Sequence, residues 1–148
     1  MRFLMLMIPR VYQPATPADE RAGEGFQPKL EDMNAMMKFN EELGKAGALI
    51  ALDGLHPLEK GARVSYGKGE PVVTDGPFIE SKEVLGGYWI LQLKSKEEAI
   101  EWAKRCPALP GDVIEIRQIF DMEEFSEDVQ DAIKDARVRV EETLGKKS

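Results

Sequence analysis

Apolar residues along the chain follow patterns that predict four main strands. Residues 3–8 are continuously apolar, which is typical of a central strand covered on both faces. Residues 48–52 form a second apolar run, and along residues 88–93 aromatic and branched side chains alternate after two glycines. Residues 113–120 predict the last strand, with apolar side chains on one face. The spacing of these runs leaves room for a helix between the first two and between the last two.

Helical periodicity predicts helices in those gaps and one more at the end of the chain. Apolar residues recur every three or four positions along residues 30–46, and its methionines, with no His or Cys among them, are interpreted as core packing. Ser95 and Glu98 form a capping box at the start of a second helix, which ends before Pro107. Residues 123–144 predict a third helix, whose apolar stripe needs a protein surface to cover, on its own domain or on a partner subunit.

Two glycine- and proline-rich stretches interrupt this pattern. Residues 63–66 and 72–74 flank a glycine-containing turn and predict a hairpin. That turn lacks the glycine spacing and the following Ser or Thr of a phosphate-binding loop. Residues 10–29 contain several prolines and glycines and predict a long surface loop, which is either a binding loop or a flexible connection.

With the hairpin set aside, the order of elements is β-α-β-β-α-β. This order predicts the α+β class and a ferredoxin-like arrangement, with an antiparallel sheet packed on two helices. An open sheet of this size leaves one face in need of cover, and a second copy of the chain can supply it. We therefore expect a homodimer in which residues 1–125 form the domain and residues 126–148 form a helical extension.

Composition and charge narrow the class of protein. The chain has 148 residues, of which 43% are hydrophobic and 32% charged, as in an ordinary globular domain. Its net charge of −7 argues against nucleic acid as a partner, because such binding needs a basic face. Cys106 is the only cysteine, so no internal disulfide forms and a cytoplasmic location is expected. The apolar run near the start is too short to cross a membrane.

A rigid turn follows the second strand of the predicted hairpin. Asp75 stands at the strand end, and Gly76 can adopt backbone conformations closed to other residues. Pro77 fixes its own φ and restricts Gly76, and Phe78 is an apolar anchor. The turn therefore holds one carboxylate in a defined place, which suits either a structural turn or a functional site.

The residues of this turn resemble the signature of the DGPF proteins of the YCII-related superfamily. The resemblance lies in Asp75-Gly76-Pro77-Phe78 followed by Glu80, Lys82 and Glu83. It extends, in the same order along the chain, to residues 54–57, 61–64, 86–89, 98–107 and 114–117. It covers about residues 1–125 and implies a ferredoxin-like domain that dimerises into an α/β barrel.

The resemblance also implies a candidate active centre, since YCII-like proteins carry a proposed His–Asp pair that corresponds to His56 and Asp75. His56 is the only histidine, and so the only side chain with an ordinary pKa near neutrality. An acid bonded to one ring nitrogen would leave the other as a general base or acid. The alternative is a histidine that caps a turn beside an aspartate that forms an Asx-turn.

Three further residues are candidate substrate contacts. Arg63 can hold an anionic substrate, Glu83 can line the same pocket, and Trp89 can form an apolar wall. Sheet packing for Arg63 and Trp89, and a solvated turn for Glu83, are the competing interpretations. One histidine without ligand spacing does not predict a metal site, and no other cofactor is expected.

Two functions from different classes are consistent with these residues. The first is a small cofactor-free enzyme, or a ligand-binding protein, in which His56 and Asp75 carry out general acid/base chemistry on a small organic molecule. The second is a non-enzymatic sensor or accessory protein, because DGPF-like proteins resemble partners of alternative sigma factors. An acidic chain can bind such a basic regulator without touching DNA.

Overall fold

The computed structural model describes residues 1–23, 25–76 and 83–145 of the chain. It divides into two compact units, Met1–Gln118 and Ile119–Ser148. The first unit contains every element that positions the candidate site, whereas the second contains the C-terminal helix.

The first unit contains six strands and two α-helices among its described residues. In chain order these are β1 (Arg2–Ile8), α1 (Leu30–Lys45), β2 (Leu49–Gly54), β3 (Ala62–Ser65), β4 (Val72–Asp75), β5 (Gly87–Gln92), α2 (Lys96–Arg105) and β6 (Val113–Gln118). The α+β class expected from the sequence is confirmed, and the element boundaries lie within about two residues of the predicted ones.

Four strands form one antiparallel sheet in the order β2-β5-β1-β6. The central strand β1 pairs with β5 on one side and with β6 on the other, so that Met5 lies between Trp89 and Ile116. Side chains on both faces of β1 are apolar: Phe3 and Met5 belong to the buried cluster, and Leu4 and Leu6 lie on the other face.

Both helices pack on the same face of this sheet. Phe39 of α1 makes edge-to-face contacts with Trp89 of β5 and with Trp102 of α2, at ring-centroid distances of 6.1 and 6.2 Å. The buried cluster on this face also includes Phe3, Met5, Leu43, Leu91 and Ala99. At the start of α2 the Ser95 side chain accepts from the Glu98 amide at 3.2 Å, as the capping box predicts.

The other face of the sheet is apolar but only half buried. Leu4 and Leu6 of β1 lie beside Ile90 and Tyr88 of β5 on this face, and they stay outside the buried cluster. The expectation that β1 is covered on both faces therefore holds for one face only within the chain. The physical reason is that α1 and α2 share the opposite face.

The methionines of α1 differ from the expectation of core packing. Met36 packs against the buried cluster, whereas the Met33 and Met37 side chains are 41% and 54% exposed. Only the side of α1 that faces the sheet is covered, so Met36 is packed and Met33 and Met37 stand at the margins of that side.

The hairpin forms a separate two-stranded sheet of β3 and β4, whose paired residues run from Ala62 opposite Asp75 to Ser65 opposite Val72. Every residue of both strands is exposed. A two-stranded ribbon has little stability of its own, so contacts at its base decide how firmly it is held.

Described residues of the loop between β1 and α1 are tied to the sheet end by polar contacts. The Gln13 amide side chain donates to the carbonyl of Val84 and accepts from its backbone amide, both at 2.9 Å. The backbone amide of Arg10 donates to the Asp112 carboxylate at 2.8 Å. These contacts count against the interpretation of the first residues of this loop as a flexible connection.

The second unit contains helix α3 (Glu127–Gly145), close to the predicted residues 123–144. A capped 3-10 turn, Met122–Glu124, precedes it, and the Phe120 and Phe125 rings lie 5.1 Å apart. Among the described residues, no helix combines the length and the apolar character needed to cross a bilayer.

Candidate functional site: the turns around His56 and Asp75

His56 lies on a turn that begins where β2 ends. The Leu55 backbone is fixed from two sides, because its amide donates to the Gly86 carbonyl at 2.9 Å and its carbonyl accepts from the Tyr12 hydroxyl at 2.8 Å. The next residue, His56, is exposed and lines a cavity of about 140 Å³. Phe26, Gln27, Glu59 and Lys60 line the same cavity. Among the described residues, its walls therefore present one imidazole, one carboxylate and one ammonium group.

Asp75 is the last residue of β4, and its turn is held against the segment that follows His56. The amide of Gly76 donates to the carbonyl of Gly61 at 2.8 Å. A Cβ at position 76 would overlap the carbonyl oxygen of Leu58. Gly76 is not among the glycines with positive φ, so the reason for glycine here is lack of space and not an unusual backbone conformation.

The two turns are neighbours in space, because Leu58 follows His56 by two residues and its carbonyl meets Gly76 directly after Asp75. The His56 and Asp75 side chains are both exposed, and within the described part of the chain they share neither a hydrogen bond nor an ion pair. The remainder of the signature, Pro77, Phe78, Glu80 and Lys82, lies outside the described residues. Backbone contact thus brings the segments together without bonding the two side chains.

Arg63 and Glu83 lie on different segments of the first unit. Arg63 is on β3, opposite Thr74, and its side chain is exposed on the hairpin. Glu83 is exposed beside Val84, the residue whose backbone is bonded to Gln13. Neither residue is among those that line the His56 cavity.

Trp89 lies in the core and borders a different cavity from the one that His56 lines. It is 5% exposed, and its indole N–H donates to the Asn40 side chain at 2.8 Å. The cavity beside it measures about 270 Å³ and is bordered by methionines of α1. Trp89 therefore packs in the sheet and also forms an apolar wall. The cavity that it borders is not the one that His56 lines.

Tyr12 and Phe26 are site residues that the sequence pattern did not indicate. Their rings meet edge-on at 6.2 Å, and Phe26 lines the His56 cavity. Burial, and then the nearby Glu59 carboxylate, raise the pKa of the Tyr12 phenol, which keeps it protonated as the donor to Leu55. The signal available in the sequence was the presence of two aromatic residues in a proline- and glycine-rich loop. A loop has no periodicity, so the sequence could not show which way these side chains face.

Cys106 supplies no nucleophile to the site. It is buried in the core, and burial, followed by the Asp112 carboxylate, raises the pKa of the thiol to about 12. A thiol with that pKa stays protonated at neutral pH and reacts slowly. Within the ranges that the structure describes, no three His, Cys, Asp or Glu side chains are grouped so as to hold a metal ion.

Residues 1–123 match the model of a family described as the YCII-related domain. An uncharacterized protein of Rhizobium meliloti (strain 1021) is 33% identical over 75 residues, which make up 51% of this chain and 58% of that protein. The chain thus matches less than two thirds of this relative's length. The family match includes both turns, so His56 and Asp75 lie in the matched part.

Substitution of Gly76 tests whether contact at the base of the hairpin holds the two turns together. We expect Gly76→Ala to lower the free energy of unfolding by about 1–3 kcal/mol, the usual cost of overpacking, because the new methyl group meets a backbone carbonyl. Amide hydrogen exchange at residue 76 should also accelerate as its bond to Gly61 opens. The control is Gly69→Ala, since a Cβ at Gly69 meets nothing within 4 Å. Equal stability and equal exchange in the two variants would show that the contact is unimportant.

Proposed function

Because the chain belongs to the YCII-related domain family, we propose that it binds a small organic molecule beside His56 and acts on it by general acid/base catalysis without a cofactor. His56 transfers the proton in this proposal, and Asp75 orients the imidazole. The observation that carries the proposal is the contact of the Gly76 turn with Leu58 and Gly61. It keeps the backbone of Asp75 next to the segment that carries the histidine.

The exposed side chains of His56 and Asp75 are compatible with a hydrogen-bonded pair that forms when the substrate binds. Catalytic hydrogen bonds are often long or absent in a free enzyme and shorten once substrate excludes water. A substrate in the 140 Å³ cavity would remove water from around His56, and this would favour a bond from its ring N–H to the Asp75 carboxylate. Lys60 and Glu59, on the same walls, supply one positive and one negative group for polar substituents.

A dehydration is the reaction that needs the fewest catalytic groups. His56 removes a proton from a carbon next to a carbonyl, the carbon–oxygen bond to a neighbouring hydroxyl breaks, and the imidazolium returns the proton to the leaving oxygen as water. Atoms and charge then balance without an oxidant or a metal. The cavity volume limits the substrate to a few carbon atoms with polar substituents.

We propose further that two copies of a ferredoxin-like unit pair through their sheets to form an α/β barrel. The strand order β2-β5-β1-β6 and the placement of both helices on one face support this arrangement. The half-buried face around Leu4, Leu6 and Ile90 supplies the apolar surface that a partner copy would cover. A stable pair of this kind buries about 1,600 Å² or more in total.

An accessory role in transcriptional regulation, through a sigma factor or another regulator, is the second proposal, and helix α3 is the observation that favours it. Val140 and Leu144 are 58% and 62% exposed, and they line a shallow surface groove with Ala136. The groove, which also includes Arg139, suits an apolar segment of a partner, and the net charge of −7 favours a basic one.

A truncation after Asp121 separates the two roles, because it removes α3 and leaves both candidate turns. The accessory role would be supported if the truncated chain no longer bound the sigma factor or other regulator in a pull-down while its binding of small molecules was unchanged. If the truncated chain still binds the partner as the full chain does, α3 is not the docking element.

Ligand screening by thermal shift tests the role of His56. A small hydroxylated carbonyl compound at a hundred times its Kd should stabilise the wild-type protein by about 2.7 kcal/mol. His56→Ala should lose turnover by about a hundredfold or more, the usual contribution of general acid/base catalysis, and Asp75→Asn should lower turnover while keeping the fold. Glu70→Gln removes one exposed acid from the same hairpin and serves as the charge-matched control. Unchanged binding and turnover in His56→Ala would contradict the proposal.

Dimer formation is tested by charging the open sheet face. Leu6 lies between Tyr88 and Glu115, so Leu6→Glu places a carboxylate in the proposed interface beside an existing one. We expect light scattering at micromolar concentration to show a dimer for the wild type and a monomer for Leu6→Glu. The control is Leu30→Glu, on the helix side of the sheet, where the side chain is 77% exposed. A monomeric wild type, or a dimeric Leu6→Glu, would contradict the arrangement.

A further inference from the structure

We propose that a cavity between helix α1 and the sheet, the methionine cavity, binds an uncharged aromatic molecule that carries one oxygen acceptor, such as an aryl ketone. The cavity measures about 270 Å³ and is lined by residues of β2 and β5 and by four methionines, Met7, Met33, Met36 and Met37. Among the described residues it has no lining residue in common with the His56 cavity, and the catalytic proposal does not use it.

Two glycines form the sheet side of the methionine cavity. Gly54 of β2 is paired with Gly87 of β5, and two residues further along the strands Leu52 is paired with Trp89, so all four lie on one face. Trp89 belongs to the buried cluster, so this is the face that α1 covers. A Cβ on Gly54 would meet nothing within 4 Å. The glycine pair therefore leaves the sheet backbone open, and a planar ring can lie flat against it.

The methionines supply walls that suit an aromatic ring. Met7 is buried, whereas Met33 and Met37 are exposed, so these walls extend from the core to the protein surface. Thioether groups are polarisable, adapt their rotamers and make favourable contacts with ring edges. An apolar cavity of about 150 Å³ is large enough to hold benzene. The larger volume of the methionine cavity therefore accommodates one ring with a short substituent.

Asn40 is the residue that selects an oxygen acceptor. It follows Met36 and Met37 by one turn of α1 and lines the same cavity. Its side-chain oxygen accepts from the Trp89 indole N–H at 2.8 Å, and because an indole can only donate, this bond fixes which end of the amide group faces Trp89. The NH2 end keeps both of its donors, and no described residue accepts from them. An oxygen atom on a ligand in the cavity supplies the missing acceptor.

The charges near the methionine cavity favour an uncharged ligand. Asp53 is the one charged residue among the described residues that line it. Asp53 is paired with Tyr88, whose hydroxyl donates to its carboxylate at 2.8 Å, and both side chains stand on the sheet face opposite α1. An ionised ligand on the α1 side would thus lose its hydration without meeting a described counter-ion, which is unfavourable.

The test compares three probes of one shape, acetophenone, isopropylbenzene and benzoate. Acetophenone has the acceptor, isopropylbenzene has a methyl group in place of the carbonyl oxygen, and benzoate has a negative charge. The full-length protein carries ¹³C-methyl label on its seven methionines. We expect both uncharged probes to cause saturable shifts of the four methionine signals of the cavity, with Met1 and Met122 unchanged. Benzoate at the same concentrations should cause no saturable shift.

Asn40→Asp tests the hydrogen bond to the ligand. The variant keeps an acceptor for the Trp89 indole but replaces the NH2 donors by a carboxylate oxygen. The ratio of acetophenone affinity to isopropylbenzene affinity should fall about fivefold, the effect of one ordinary hydrogen bond. Because this ratio is compared between proteins, the different hydration of the two probes cancels. Asn34→Asp makes the same change at an exposed position of α1 outside the cavity and should leave the ratio unchanged.

Gly54→Val tests where the ring lies. Valine suits a strand, and its side chain would enter the open space over the glycine pair. Affinity for both uncharged probes should fall about tenfold, because the new side chain takes the place of part of the buried ring. The control is Gly69→Val, on the exposed turn of the hairpin, where a Cβ also meets nothing within 4 Å. Melting curves of both variants verify that the fold is kept.

Four results would overturn the proposal: no saturable shifts at the four methionines, benzoate binding as tightly as acetophenone, an affinity ratio unaffected by Asn40→Asp, or probe affinity unaffected by Gly54→Val. The catalytic proposal is tested separately, because acetophenone has no hydroxyl group to lose as water. His56→Ala should bind the probes as the wild type does, since His56 lines only the other cavity. Loss of probe binding in that variant would place the probes beside His56 and contradict a second site.

Discussion

Edge-to-face packing of Phe39 between Trp89 and Trp102 is the interaction on which the rest of the structure depends. It joins α1, α2 and the sheet into one apolar layer, and it commits both helices to the same sheet face. Two consequences follow from that commitment. One face of the sheet keeps Leu4, Leu6 and Ile90 only half buried, and a cavity of about 270 Å³ is bordered by α1 and by the strands β2 and β5.

The hairpin of β3 and β4 shows how a weak element is positioned by a local steric requirement. Every residue of its two strands is exposed, so buried surface contributes little to its stability. The base of the hairpin is held by the hydrogen bond from Gly76 to Gly61 and by the close approach of Gly76 to Leu58. A carboxylate at such a base keeps a defined backbone position while its side chain remains free to reorient. That combination suits an acid that engages a partner only when water is excluded.

The loop after β1 contributes to two cavities through two aromatic rings. Tyr12 holds the turn before His56 through its bond to Leu55, and Phe26 lines both the His56 cavity and a cavity of about 300 Å³ beside Met33 and Met36. The loop is secured at the sheet end by Gln13 and Arg10. The same loop therefore borders two cavities of different character, a polar one beside His56 and a more apolar one beside Met33.

The sequence by itself determined the order of strands and helices, because alternating and helical apolar periods persist over whole elements and report burial along each one. It also indicated His56 and Asp75 as turn residues, since glycine and proline mark chain reversals in any fold. Only the tertiary structure decided that Gly76 is required by the Leu58 carbonyl, that Trp89 belongs to a different cavity from His56, and that two methionines of α1 border a cleft. These facts depend on distances between segments far apart in the chain, and local periodicity carries no information about such distances.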